Sequence, residues 1–276
     1  MSETRTREEE MAVADQLPQA DATSLVDGEQ LESAVKEMYG HVAREESAEL
    51  HFETGRRLAE RLGYDPKRLD EAPADAVASF AGVGYHFELA ALRPGERVLD
   101  LGSGSGTDVF YAALAVGTDG RVAGVDFTEE QVAKAQRLRD AHGFDQVELH
   151  QASIEELPFD ASTFDCVVSN GVINLSLRKD RVFEEAARVL RPGGRLAISD
   201  IVSGKALRET TRRNIDLWAA CVAGAIPRAS YVGTIEAAGF EVRDVKPNPY
   251  EFVSDHALEA CSTYEIESVS ILAVRG

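Results

Sequence analysis

A short glycine-rich segment constrains the fold of this chain more than any other feature. Residues Val98–Thr107 read VLDLGSGSGT, so an apolar run leads into three glycines at alternate positions. Glycines are needed where a strand turns sharply into a helix and a ligand must approach the backbone closely. The segment therefore predicts a strand at Arg97–Leu101, a tight turn, and a helix at Thr107–Val116.

Strand and helix patterns continue to alternate until about residue 200. This rhythm predicts a mainly parallel sheet covered by helices on both faces, which is a Rossmann-like, doubly wound α/β fold. The expected strands are Arg121–Asp126, Val147–Gln151, Phe164–Ser169 and Arg195–Ser199. The expected helices are Thr128–His142, with Thr128 as its cap, and Lys179–Leu190. A turn is expected at Arg191–Gly194.

The regions on either side of this core are predicted to be largely helical. Apolar residues at three- and four-residue spacings predict an N-terminal helical cap at residues 27–92, behind a disordered acidic tail at residues 1–26. The core then occupies residues 93–276, with a helical lid inserted at about residues 203–238. We expect lid helices at Leu207–Ala223 and Ser230–Ala238, followed by strands at Glu241–Val245 and Ile266–Val274.

Two carboxylates decide which ligand suits the glycine loop. A dinucleotide site requires G-x-G-x-x-G, whereas Thr107 occupies the sixth position here. Asp100, two residues before the first glycine, would repel a pyrophosphate but suits a cationic amino group. Asp126 ends the next strand and can accept hydrogen bonds from both ribose hydroxyls, while Phe127 can stack on an adenine. The combination predicts a methyl-donor site and disfavours a nicotinamide oxidoreductase.

Residues 97–200 resemble the class I methyltransferases, whose methyl donor is S-adenosylmethionine. The glycine loop, Asp126, the segment Ala152–Phe159, Ser169-Asn170 and Arg188–Gly194 follow one another in the order typical of that family. The family usually has an acid where Ser153 stands, so the contact to the adenine amino group is weaker here. The resemblance implies donor binding by Asp100, Gly102, Ser103, Gly104, Thr107, Asp108, Asp126, Phe127, Gln131, Ser153, Ile154, Glu155 and Asn170.

A closer resemblance, from about Val35 to Val274, is to the arsenite methyltransferases. It is carried by the segments Val35–Gly40, Asp100–Asp108, Ser169–Ser176, Cys221–Ala225 and Ser268–Val274. In that family three cysteine thiolates hold trivalent arsenic, because a soft centre needs soft ligands. Val83 and Gly171 stand at two of those three positions and only Cys221 remains. We therefore expect that the scaffold is shared and that the metalloid site is lost.

The leading alternative to arsenic is a small, lipophilic organic acceptor, methylated at carbon, nitrogen or oxygen. The residues expected to line its pocket are Tyr85, Gly171, Trp218, Cys221 and Val222. Methyl transfer needs a base only if the acceptor carries a proton, and His86 and Tyr39 are the candidates. A non-catalytic protein that binds S-adenosylmethionine as a regulator is a further alternative.

Charge and cysteine content exclude several classes of partner. The formal net charge is −19, from 48 acidic and 29 basic residues, which disfavours nucleic acid and anionic membrane surfaces. No apolar run is long enough for a transmembrane helix, and the polar first residues do not resemble a secretory signal. Three widely spaced cysteines predict neither a disulfide framework nor a metal site. A cytoplasmic enzyme, compatible with a homo-oligomer, is the expectation.

Overall fold

The computed structural model describes residues 23, 25–44, 53–219 and 221–276. Its centre is a seven-stranded sheet in the order β3-β2-β1-β4-β5-β7-β6, in which the first five strands are parallel and β7 runs antiparallel to both of its neighbours. The predicted doubly wound fold is confirmed. The strands are β1 Arg97–Leu101, β2 Arg121–Asp126, β3 Val147–Gln151, β4 Phe164–Asn170, β5 Leu190–Val202, β6 Phe240–Pro247 and β7 Glu267–Arg275.

Helices cover both faces of the sheet, and each face has its own apolar core. The central strands are buried along nearly their whole length, as expected for a sheet that is covered on both sides. The helices are α1 Gly28–Arg44, α2 Arg56–Leu62, α3 Pro66–Glu71, α4 Ala74–Ala78, α5 Phe87–Ala90, α6 Thr107–Val116, α7 Glu129–His142, α8 Lys179–Val189, α9 Glu209–Arg212, α10 Ile215–Ala219, α11 Arg228–Ala237 and α12 Asp255–Tyr264.

The described part of the segment before the core contains one long helix, α1 with 17 residues, and four short ones. Helix α2 ends at Gly63, which adopts a left-handed φ of 113°. Most of the predicted tail lies outside the described residues. Val26 is described and is buried in a cluster with Leu31, Val35 and Trp218, so the predicted tail extends too far at its carboxyl end.

In the second half of the chain two local predictions were wrong, and one helix was not predicted. Arg191–Gly194 is not a turn between separate elements; it lies within β5 as a bulge, because the pairing with β4 shifts register there. The single helix predicted at Leu207–Ala223 is two short helices, α9 and α10. Helix α12 was not predicted, although Ser254 caps it by accepting a hydrogen bond from the backbone N–H of Ala257 at 3.3 Å.

None of the helices in the described ranges combines the length and the apolarity that a membrane crossing requires.

Candidate active site

A cleft of about 660 Å³ opens where β1, β2 and β4 end. This edge of a parallel sheet is where doubly wound folds bind their ligands. Three carboxylates, Asp100, Asp108 and Asp126, line one part of the cleft, which we call the acidic end. The part beside Gly171 and Leu175 we call the apolar end. The complete lining is Val35, Tyr39, Ser79–Gly82, Asp100, Gly102–Ser105, Thr107, Asp108, Asp126–Thr128, Gln131, Asn170–Val172 and Leu175.

The glycine loop forms the floor of the acidic end. Its three glycines, Gly102, Gly104 and Gly106, all have positive φ, which few side chains tolerate. At Gly102 a Cβ atom would also collide with the side chain of Val172, so the loop and the chain after β4 lie in close contact. The backbone N–H of Gly102 donates to the carbonyl of Val125 at 2.8 Å, which ties the loop to β2.

Asp126 organises the backbone around it. Its carboxylate accepts from the N–H of Gly104 at 2.9 Å and from the N–H of Thr128 at 2.9 Å. Burial raises the pKa of this carboxyl, and the two backbone donors counteract that effect. Thr128 does occupy the cap position of α7, but its side chain accepts no cap hydrogen bond. The predicted cap residue is therefore correct in position, but its hydroxyl does not bond the end of the helix, and the Asp126 carboxylate accepts from the N–H of Thr128 instead.

Asp100 presents the chemistry most suited to a cation. It is 2% exposed, and within the described residues one of its carboxylate oxygens has no hydrogen-bond partner. Burial raises its pKa well above the usual value, and the neighbouring Asp108 and Asp126 add to the effect. A buried, unpartnered carboxylate beside two others favours a positively charged ligand. S-adenosylmethionine, with its sulfonium and ammonium groups, fits this arrangement; a pyrophosphate does not.

A hydrogen-bond network joins the acidic end to the helical cap and to β4. Tyr64 donates its phenolic proton to Asp108 Oδ1 at 2.6 Å, and Asn170 Nδ2 donates to Asp108 Oδ2 at 3.0 Å. Asn170 Oδ1 accepts from the N–H of Val83 at 2.8 Å and of Gly84 at 3.2 Å. Asn170 therefore links a carboxylate of the cleft to the backbone of the segment that carries Val83.

Gln131 and Phe127 connect the cleft to α1. Gln131 Nε2 donates to the carbonyl of Tyr39 at 2.8 Å, and its Oε1 accepts from Ser105 at 2.5 Å. The Lys36 ammonium lies 5.5 Å from the centroid of the Phe127 ring. Helix α1 thus covers the mouth of the cleft.

The predicted adenine segment does not line the cleft. Ser153 is exposed, and its hydroxyl accepts from the N–H of Glu155 at 3.1 Å. Glu155 in turn accepts from the Ser176 hydroxyl at 2.6 Å, while Ile154 packs against the core. Local hydrogen bonds therefore occupy the polar groups of Ser153 and Glu155. The other donor-site candidates named from the sequence do line the cleft.

Residues 83, 171 and 221 converge at the apolar end. A Cβ atom at Gly171 would lie 3.1 Å from Val83 Cγ1, and the Cys221 thiol donates to the Gly171 carbonyl at 3.4 Å. The Tyr39 hydroxyl lies 3.9 Å from Cys221 Sγ. Only one thiol is present in this group, and burial raises its pKa to about 12. Among the described residues no cluster of three or more His, Cys, Asp or Glu side chains could hold a metal ion.

Five other candidates named from the sequence lie outside the cleft lining, and Cys221 is one of them. The Trp218 indole N–H donates to the carbonyl of Arg212, and Val222 is fully buried behind Cys221. Tyr85 packs against Tyr64 and Tyr111 in the helical cap. His86 is completely buried, and burial lowers its pKa to about 3. The geometry thus gives His86 no route to an acceptor in the cleft, whereas Tyr39 is in place.

Several residues that line the cleft were not named from the sequence. Most come from the helical cap and from the chain after β4; Val35, Val172 and Leu175 lie in segments that carry the family resemblance but were not named there as binding residues. At Gly82 a Cβ atom would collide with the Asn170 amide, which explains why a glycine stands at this position. The unpredicted lining residues are Val35, Ser79, Phe80, Ala81, Gly82, Ser105, Thr128, Val172 and Leu175.

Comparison with known proteins identifies the family. Residues 92–252 match the model of the methyltransferase domain. An arsenite methyltransferase of Halobacterium salinarum is 42% identical over 212 residues, covering 74% of this chain and 52% of that protein. One from Aquipseudomonas alcaligenes is 38% identical, covering 69% of this chain and 56% of that protein. The chain therefore spans about half the length of these curated relatives.

A solved structure agrees with this assignment. The arsenic(III) S-adenosylmethionine methyltransferase from Chlamydomonas reinhardtii superposes with a TM-score of 0.59 at 30% identity, covering 80% of this chain and 74% of that one. A binding site for S-adenosylmethionine thus accounts for the cleft, for its glycine loop and for its buried carboxylates. The chain therefore belongs to the methyltransferase-domain family and, within it, resembles the arsenite methyltransferases.

Proposed function

We propose that this chain transfers the methyl group of S-adenosylmethionine to a small, largely apolar organic molecule. The observation that carries the proposal is the single thiol at the apolar end, where Val83, Gly171 and Cys221 meet. Trivalent arsenic is bound by several soft ligands, and one thiol does not supply them. Burial also keeps Cys221 protonated at neutral pH, and a thiol is a far weaker ligand than a thiolate.

The residues of the cleft suit an acceptor that needs no strong base. The donor, when bound, supplies an activated methyl group on its sulfonium. Tyr39 lines the cleft, but burial raises the pKa of its phenol well above the usual value, so it stays protonated. The chain's contribution is then to position the two reactants and to exclude water. The aromatic rings of Tyr39, Phe80 and Phe127 give an apolar acceptor surfaces to pack against.

The experiment is a search for labelled product. Protein is incubated with methyl-tritiated S-adenosylmethionine and fractionated lipophilic metabolites, with Asp126→Ala as the variant expected to lose the donor. We expect label in an organic-soluble product with the wild-type chain only. Donor binding by calorimetry with no labelled product in any fraction would favour the alternative of a non-catalytic regulator.

Arsenite methylation is the second candidate. It is favoured by the two relatives, both of which are arsenite methyltransferases, and by Cys221, which the sequence resemblance places at one of the three arsenic-binding positions. Methylated arsenic is measured after incubation with arsenite, a thiol reductant and the donor. Cys166→Ser is the matched control, because Cys166 is also buried with a pKa raised to about 12, but in β4 away from the cleft. Turnover that persists in Cys166→Ser and vanishes in Cys221→Ser would overturn the organic acceptor.

A further inference from the structure

The contact between Tyr64 and Asp108 is the shortest link between the helical cap and the acidic end of the cleft. Tyr64 is 2% exposed, and its hydroxyl donates to Asp108 Oδ1 at 2.6 Å. Asp108 lies in the first turn of α6 and lines the cleft. A hydrogen bond from a neutral phenol to a carboxylate is charge-assisted and strongest when the carboxylate is ionised.

The hydroxyl of Tyr64 has little freedom to be elsewhere. Its ring makes edge-on contacts with Phe80, Tyr85 and Tyr111, with centroids 4.9 to 5.0 Å apart. The left-handed turn at Gly63 directs the chain from α2 into this aromatic cluster. Packing therefore fixes the Tyr64 hydroxyl in place before any ligand binds. This is how a supporting residue orients a functional one.

Asp108 depends on such support because its surroundings are acidic. Asp100 faces it from β1 and Asp126 from β2, while Tyr64 and Asn170 supply its hydrogen-bond donors. In the described part of the chain no lysine or arginine forms an ion pair with Asp108. Burial raises its pKa to about 6, and the bonds from Tyr64 and Asn170 act in the opposite direction.

We propose that Tyr64 is a positioning residue for the methyl donor, whose hydroxyl holds the Asp108 carboxylate in the cleft as a counter-charge to the cationic ligand. The proposal concerns the acidic end alone, so it stands whichever acceptor the apolar end receives. Asp108 serves this role only while ionised. Donor affinity is accordingly retained above the pKa of Asp108 and lost as the pH falls through it.

The test measures donor affinity against pH for Tyr64→Phe. Calorimetry with S-adenosylmethionine between pH 5.5 and 8 gives each dissociation constant, and comparing variants at equal pH cancels the donor's own titration. Without the Tyr64 hydroxyl, the midpoint of the pH dependence of S-adenosylmethionine affinity should move up by about one pH unit. Affinity is then about fivefold weaker than wild type at pH 6 and within about twofold at pH 8.

Tyr231→Phe is the matched control. Tyr231 is also fully buried and donates to an aspartate, Asp200 Oδ2, at 2.7 Å, and the pKa of Asp200 is likewise raised to about 6. Asp200 does not line the cleft. Both variants should lose thermal stability, but only Tyr64→Phe should move the midpoint of the pH profile of S-adenosylmethionine affinity. Equal profiles for the two variants would reduce Tyr64 to a structural role and overturn the proposal.

A second variant tests the carboxylate itself. Asp108→Asn removes the titrating group, so affinity should be weaker at pH 8 and should lose the component that titrates near pH 6. Adding Tyr64→Phe to Asp108→Asn should then shift nothing further. A midpoint that survives in Asp108→Asn would show that another group titrates, and the proposal would fail.

Discussion

The two ends of the cleft are built in different ways. The acidic end comes mainly from one stretch of chain, residues 100–108, completed by Asp126 on the neighbouring strand. The apolar end is assembled from distant parts of the chain, since Tyr39, Val83, Gly171 and Cys221 belong to four separate segments. Local geometry fixes the first end, whereas tertiary packing alone brings the second together.

This difference agrees with our proposal that the chain keeps the methyl donor of its family but receives an organic acceptor. The strand–turn–helix unit at the acidic end is encoded locally, because its glycines and two of its carboxylates lie within the single stretch of residues 100–108. At the apolar end a change at a single position alters the chemistry offered to the acceptor while the fold remains. On this proposal the family determines the methyl donor, and the residues at the apolar end of each chain determine the acceptor.

The largest expected effect is at the acidic end, for Asp126→Ala. The variant leaves the N–H groups of Gly104 and Thr128 without their acceptor and removes the carboxylate from the cleft. We expect donor affinity to fall about a hundredfold, or about 2.7 kcal/mol, measured by calorimetry. Asp119→Ala removes the same charge at an exposed site and should leave affinity unchanged. A loss under threefold in Asp126→Ala would mean that this carboxylate does not hold the donor.

The sequence predicted the acidic end because its spacing follows from the fold. Leu101 pairs with Val125 in parallel register, so Asp126 comes beside the first glycine of the loop once β1 and β2 are neighbours. Tyr64 had no such signal, since its partner Asn170 is 106 positions away in the chain. His86 was proposed from its nearness to residue 83, but adjacency in sequence does not fix which way a side chain faces.

The errors in secondary structure have similar causes. Ala257, Ala260, Cys261 and Tyr264 do show the spacing of a helix face, yet three of these four residues are small, so the apolar face of α12 is weak in the sequence. The lid segment was predicted as one helix because apolar residues recur along it. In the structure, the side chain of Asn214 accepts from the N–H of Leu217, which starts a second helix instead of continuing the first.

Gly102→Ala tests whether the two ends of the cleft touch. Gly102 has a φ of 71°, and a Cβ atom there would collide with Val172, which lines the cleft beside Gly171. We expect donor affinity to fall about tenfold and the free energy of unfolding to fall by about 2–3 kcal/mol. Gly143→Ala is the control, because Gly143 has a left-handed φ of 70° but no atom within 4 Å of the added Cβ. It should cost about 1 kcal/mol and leave affinity unchanged. Equal costs for the two variants would mean that strain alone, without the contact to Val172, explains the glycine.

The smallest expected effect is a gain at the apolar end, in the double variant Val83→Cys with Gly171→Cys. These positions adjoin each other and Cys221, so the change places three thiols together. Gly171 has a φ of 74°, which makes any side chain there costly by about 1–2 kcal/mol, and replacing Val83 as well relieves the crowding. Because burial opposes thiolate formation, we expect arsenite affinity to rise only about fivefold over wild type. Donor affinity should stay within about twofold, since the acidic end is untouched.

The control is the same variant with Cys221→Ser, which keeps two thiols. If calorimetry finds no tighter arsenite binding with three thiols than with two, then Cys221 does not face the space between residues 83 and 171. The apolar end is then not where an acceptor of this size would bind.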